Sequence, residues 1–283
     1  MKKIGVLLSV IGCLTTGNPL QAQIVPVDSI VMYQKDSAII PETNETVLFF
    51  QSNERIPEAS LSKITIITRA RKTMKLAAFL KSDGMEYGDP VLADMDNDGK
   101  KELLISNYTG GAHCCDELYI FKNIGVNKYQ HVAKLFAGNT VITPEKEFRF
   151  DLHENFGYFF TCFACGYSDT SDAGPIPVND ITLRYNNGKI SIVPGSPELK
   201  SIINDNLGKL AEQPYQAIDK ELLMDDGIRK EFALNLAQYY FSFGKNMVAT
   251  QQLFNKYYKF PDAKTVWARF SKQILYMKKE SDF

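Results

Sequence analysis

From Gln23 to about Pro194, apolar residues fall in short β-branched and aromatic runs broken by turn formers. The runs at 30–33, 46–50, 64–68, 103–105, 118–121, 130–135 and 158–161 predict strands. Those at 181–185 and 189–193 flank Asn186-Asn187-Gly188, whose Asn-Gly pair supplies the positive φ angles of a tight hairpin. After Gly195 the apolar spacing changes from two residues to helical. Ser196-Pro197 caps and opens a first predicted helix. Ile228, Phe232, Leu236, Tyr239, Tyr240 and Phe243 make an apolar stripe that ends at Gly244. Asn246 caps a further helix over 248–258, and Pro261-Asp262 opens a last one carrying Val266, Phe270, Ile274 and Met277 on one face. The pattern predicts an α+β protein in three parts: a leader at 1–22, a β-rich domain at 23–195 with antiparallel sheets, and a small helical domain at 196–283.

The leader is read from its own pattern. Lys2 and Lys3 precede an apolar run from Ile4 to Leu14, and Leu20-Gln21-Ala22 offers a small residue before a cut. That is the layout of a secretory signal. The run is shorter than the roughly 20 apolar residues needed to span a bilayer, and no other segment reads as a transmembrane helix. Val10-Ile11-Gly12-Cys13 also resembles a bacterial lipobox, with Cys13 as the lipid anchor. Cleavage after Ala22 is the preferred reading, because the apolar run continues past the cysteine. The expected location is periplasmic or secreted, with an outer-membrane lipoprotein as the alternative.

Composition narrows the function classes. An apolar share of 45% with 23% charged residues is ordinary for a packed domain, so disorder is not expected of the body. Removing the leader leaves 30 basic against 33 acidic residues, a balance that excludes a broad nucleic-acid surface.

One segment carries distinctive chemistry. In Asp94-Met95-Asp96-Asn97-Asp98-Gly99 three aspartates alternate, and Glu102 follows. Carboxylates this close repel unless a cation neutralises them, and a hard ion with six to eight oxygen ligands suits the supply. Gly99 lets the chain turn so that a backbone carbonyl, that of Lys100, can join the shell. The expected ligands are therefore Asp94, Asp96, Asp98, Lys100 and Glu102, and the expected cofactor is calcium. An EF-hand is incomplete here, since Ile105 occupies the place of its bidentate glutamate and 102–105 reads as strand.

Residues 91–105 instead resemble the strand–loop–strand calcium motif of FG-GAP and VCBS repeats, the family that builds integrin-type β-propellers. The family's last acidic ligand matches Glu102. The resemblance covers one blade, about residues 85–136, and implies propeller-blade-like antiparallel sheets. The β region is short for a closed propeller, so a partial assembly of two or three sheets is expected. In the helical part Leu236, Ala237, Tyr240, Gly244, Ala249, Leu253 and Pro261 resemble one tetratricopeptide unit. Lys256 departs from that pattern, and an ordinary helical hairpin is the preferred reading.

Four cysteines remain after cleavage: Cys114, Cys115, Cys162 and Cys165. An even number in an exported chain argues for disulfides. The preferred pairing joins the Cys114-Cys115 segment to the Cys162/Cys165 segment. A redox Cys162-x-x-Cys165 pair and a zinc site that includes His113 are the competing readings. The sequence has no HExxH, no Walker loop and no GxSxG elbow. Ser60-Leu61-Ser62-Lys63 lacks the companion motifs of the SxxK hydrolases. His131 and His153 fall in predicted strands or at their edges, where a satisfied surface role is expected. The function expected is an exported, non-catalytic, calcium-stabilised module for an unknown protein or glycan partner. The alternative is a secreted hydrolase with scattered catalytic residues.

Overall fold

The structure is a computed structural model. It describes residues 24–27, 30–40, 43–56, 59–67, 74–81, 86–87, 90–108, 116–125, 128–136, 141–163, 165–167, 178–218, 221 and 224–283. The leader, Cys13, His113, Cys114 and Cys115 lie outside the described residues.

The strand-rich part comes first. A five-stranded antiparallel meander is formed by β1 (Ile24–Val27), β2 (Ile30–Ile40), β3 (Glu45–Ile56), β4 (Ala59–Ile67) and β5 (Met74–Lys81). A second sheet contains β6 (Glu86–Tyr87), β7 (Val91–Ala93), β8 (Glu102–Tyr108), β9 (Asp116–Gly125) and β10 (Lys128–Phe136). Its order is β10-β9-β8-β6, with β7 also paired to β8. The third sheet runs β11 (Val141–Ile142), β12 (Glu147–Asp151), β13 (Asp180–Asn186) and β14 (Lys189–Ile192). The described residues thus form three sheets, within the number expected from sequence.

The middle sheet is buried on both faces, and its strand period decides which residue faces which core. Leu103, Ile105, Tyr119 and Phe121 pack with Ile40, Val47 and Phe49 of the meander. Leu104 and Ile120, on the opposite face, join a larger core with Phe148, Phe150, Ile181, Leu183 and the helices. A register shift in β10 between His131 and Ala133 preserves this sorting. Tyr129 and His131 lie on the meander side, against the small core and the Tyr119 and Phe121 rings. The extra residue at Val132 reverses the parity, so Ala133 and Leu135 enter the larger core. The outer edge of β10 is covered by the C-terminus: Asp282 N–H donates to Lys134 O at 2.9 Å, and Phe136 N–H to Ser281 Oγ at 2.9 Å. Such cover removes an open sheet edge.

The helices are α1 (Leu152–Phe156), α2 (Pro197–Ala211), α3 (Ile228–Ser242), α4 (Met247–Tyr257) and α5 (Ala263–Glu280). Ser196 and Asn246 cap α2 and α4 as the sequence predicts, accepting from Leu199 N–H at 3.2 Å and Ala249 N–H at 3.0 Å. Val266, Phe270, Ile274 and Met277 form the buried face of α5. The Asn187-Gly188 turn takes φ angles of 50° and 84°, joining β13 to β14 as expected. Among the described residues no helix is long and apolar enough to cross a membrane.

One sequence expectation needs correction. The aromatic run at 158–161 is a bend after α1, not a strand. Its Phe159 and Phe160 are buried beneath Arg269, which lies 5.4 and 4.4 Å from their ring centroids. A short apolar run fits either a strand or a packed bend, and here packing against α5 decides. At Gly195, where the sequence places its seam, buried residues are continuous from the strands to the helices. One buried cluster runs from Leu104 and Phe150 through Leu207 and Phe232 to Met277. Gly195 N–H donates to Ser242 O at 2.9 Å, and a Cβ at Gly195 would lie 2.6 Å from the Phe243 ring. The segment composed like a linker is therefore pinned against the end of α3.

Candidate functional site

The acidic segment links β7 to β8. Ala93 ends one strand, and Glu102 opens the next. The return is made by left-handed turns at Asn97 (φ 60°) and Gly99 (φ 83°). Glycine adopts that conformation without steric cost, and asparagine tolerates it better than most residues. Asp94 organises the turn, accepting from Asp98 N–H and Gly99 N–H at 3.1 Å each. Met95 is buried in the larger core and anchors the loop there. Its N–H donates to Glu102 Oε2 at 3.0 Å.

These constraints bring Asp94, Asp96 and Glu102 together, with one oxygen from each within 4.8 Å of the others. Asp98 stands apart from that group. Its carboxylate accepts from Lys100 N–H at 2.8 Å and lies 3.7 Å from the Lys100 ammonium.

The electrostatics are strained. Glu102 is 1% exposed. Burial raises its pKa, the Met95 N–H pulls it down, and the charges of Asp96 and Asp98 push it up again. Asp96 spends one oxygen on Asn187 N–H at 2.8 Å, while Oδ1 is buried with no hydrogen-bond partner. A buried acceptor left unmatched is costly, and such atoms in a folded protein call for an explanation. An oxygen-seeking cation supplies one.

Sequence reasoning missed the other half of the site. The β13–β14 hairpin lies on the acidic loop, with Asn187 N–H on Asp96 and the Tyr185 hydroxyl donating to Glu102 Oε1 at 3.4 Å. Burial and the Glu102 charge together push the Tyr185 phenol well above its ordinary range. Lys146 Nζ donates to Asn97 Oδ1 at 2.5 Å, and Lys122 Nζ donates to Asn187 Oδ1. The hairpin was legible as a hairpin, but nothing in its residues announces a partner about ninety positions earlier.

The cysteines depart from the expected pairing. Cys162 is bonded to Cys165, not to the Cys114-Cys115 segment. The bend after α1 brings the two within a Cα separation of 5.1 Å, suited to a bridge. His131 is half-buried between Tyr119 and Phe121, and burial lowers its pKa.

No family model, curated protein or solved structure matches the chain.

Proposed function

We propose that this chain is an exported, non-catalytic binding module whose β-rich body is clipped together by a calcium-type cation. The ligands are Asp94, Asp96 and Glu102, with Asp98 and the Lys100 carbonyl completing the shell when the ion is bound. The observation that carries the reading is the buried, partnerless Oδ1 of Asp96 beside two converging carboxylates. Three hard oxygens with excess negative charge suit calcium, whose shell tolerates irregular geometry better than that of magnesium. The succession β7, acidic loop, β8, β9, β10 in one antiparallel sheet also agrees with the FG-GAP/VCBS-like blade to which the loop has its resemblance. In this reading the cation is structural. It neutralises the loop and holds Asp96 against the β13–β14 hairpin, fixing two sheets relative to each other. The face so stabilised would meet a protein or glycan partner.

The test is thermal unfolding of the mature protein in chelator and in millimolar-range calcium. Binding to the folded state alone adds about 2.7 kcal/mol at a hundredfold excess over Kd, and Asp96→Ala removes that gain. A melting temperature that ignores calcium overturns the proposal.

A further inference from the structure

The Cys162–Cys165 disulfide closes a ring only three residues apart in sequence. A cross-link acts largely by restricting the unfolded chain, and its effect grows with loop length. A ring this short stabilises little by that route. The bend is also held without the bridge. Cys165 N–H donates to Cys162 O at 3.3 Å, and Asp225 N–H donates to Phe160 O at 2.7 Å. The Thr161 hydroxyl donates to Asp225 O at 3.3 Å. The Phe163 ring packs edge-on against Tyr158 and would lie 3.0 Å from a Cβ at Gly157. Opening the sulfur–sulfur bond therefore leaves the backbone around it in place.

The surroundings of the bridge favour a thiolate. Lys230 of α3 is wholly buried, and its ammonium donates to Phe163 O at 2.6 Å, inside the ring that the disulfide closes. The half-buried His153 imidazole of α1 faces the Cys165 backbone, and burial together with the Lys230 charge lowers its pKa. The N-terminal end of α3 lies against the residues that follow Cys165: a Cβ on Gly227 would be 2.9 Å from Tyr167 N and 3.0 Å from Gly166 C. Cationic side chains and helix N-termini both stabilise a thiolate over a thiol. The acidic groups that face this cluster are Asp151, Glu154 and Glu231, whose charges support the Lys230 ammonium. Access is asymmetric, since Cys165 is exposed and Cys162 half-buried.

We propose that Cys162–Cys165 is an exchange-active disulfide that accepts two electrons from a dithiol on a partner protein. A thiolate of the partner attacks the exposed Cys165 sulfur. The Cys162–Cys165 bond breaks, a mixed disulfide forms on Cys165, and Cys162 leaves as a thiolate next to Phe163, whose carbonyl holds the Lys230 ammonium, and takes up a proton. The partner's second thiolate then attacks its own sulfur in the mixed disulfide and releases Cys165. The partner is oxidised to a disulfide, and this chain is reduced to a dithiol. Lys230 is the positioning residue whose charge stabilises the leaving thiolate, and His153 is a positioning residue that acts through the Cys165 backbone.

The experiment equilibrates the full mature chain in glutathione redox buffers, then alkylates and maps the peptides. Mapping separates the Cys162/Cys165 peptide from the one carrying Cys114 and Cys115. The expected result is reduction at Cys162–Cys165 in a protein that keeps its circular dichroism and cooperative melting. Cys165 should alkylate before Cys162, with a pH midpoint below the ordinary thiol value of about 8.5. Lys230→Gln should slow exchange at neutral pH by roughly three- to tenfold, the balance of thiolate fraction against nucleophilicity. His153→Gln, at a half-buried site, should do so in the same direction and tests the idea even if the buried lysine proves essential for folding. A bridge that opens only in denaturant overturns the proposal, as does an ordinary thiol midpoint that His153→Gln leaves unmoved.

Discussion

Two clusters of buried charge in this molecule solve the same problem in opposite ways. At the start of α3, the Arg229 guanidinium is matched by two carboxylates. Nη1 donates to Asp225 at 2.7 Å, Nε to Asp262 at 2.7 Å, and Nη2 to Gln216 O at 2.9 Å. Tyr258 donates to the other Asp262 oxygen at 2.9 Å, and the Tyr215 ring lies 5.4 Å beneath the cation. Burial works against the guanidinium charge, but the bonds to Asp225 and Asp262 outweigh it and hold its pKa above the usual value. At the acidic loop, by contrast, like charges are packed together, Glu102 is pushed up, and Asp96 Oδ1 has no partner. A charge-matched cluster is complete as the chain folds it. A charge-unmatched one leaves a buried acceptor open, and this contrast is why the loop and not the arginine is proposed as the site.

The comparison can be broken at either end. The largest effect is expected at the matched cluster. Arg229→Met strands two carboxylates, Asp225 fully buried and Asp262 partly buried. Removing one partner of a buried pair costs about 3–5 kcal/mol, so chemical denaturation should show a loss of that order, with or without calcium. At the unmatched cluster the sign should depend on the cation. Asp96→Asn relieves repulsion, raising stability in chelator by roughly 0.5–1 kcal/mol, and forfeits the calcium increment of about 2.7 kcal/mol. A variant destabilised equally in both conditions would place the loop with the arginine cluster as ordinary structure.

Next in size is a pH effect inside α3. Burial raises the Glu231 carboxyl to about 7, against which the Asn235 amide and the Lys230 charge pull down. Because the folded state holds this proton more tightly than the unfolded chain, its contribution is fully present below the ordinary glutamate value. It is lost as pH rises through about 7. Stability should fall by on the order of 2 kcal/mol across that window, and Glu231→Gln should flatten the slope. Lys230 sharpens the measurement. Burial lowers it to about 8, with Glu154, Asp151 and Glu231 opposing the fall. Its contribution is therefore present above the ordinary lysine value and lost as pH falls through about 8, which confines the Glu231 effect to the acid side. The smallest effect is expected at an exposed pair. Arg184 bonds Glu147 across β13 and β12 while more than half exposed, and Arg184→Gln should change stability by less than about 1 kcal/mol.

The acidic loop was legible because its ligands lie within nine positions, where spacing alone implies convergence. It was legible only as a supply of carboxylates. That Asp98 would be taken by Lys100, and that Asp96 would meet the Asn187 turn, depends on contacts within the loop and between sheets. Helix α3 shows the opposite failure. Its stripe of Ile228, Phe232, Leu236 and Tyr240 was legible as an apolar face at helical spacing, and it is buried. Yet Arg229, Lys230, Asn235 and Gln238 are buried as well, because α3 is packed against α1, α2, α4, α5 and β13. A helix enclosed on all sides shows no contrast between faces, and its polar side chains find partners that periodicity does not reveal.

The sequence by itself determined the elements whose cause is local. The Asn187-Gly188 turn follows from positive φ angles, the starts of α2 and α4 from Ser196 and Asn246, and the buried face of α5 from helical spacing. The acidic loop follows from the reach of neighbouring carboxylates. Only the tertiary structure decided the rest. It merged the strands and helices into one core across Gly195, turned an aromatic run into a bend under Arg269, and joined Cys162 to Cys165. It also laid the hairpin over the carboxylates. The physical reason is common to all four. Burial and hydrogen-bond matching are set by what a residue meets across the fold, and residues far apart along the chain carry no local mark of where they will meet.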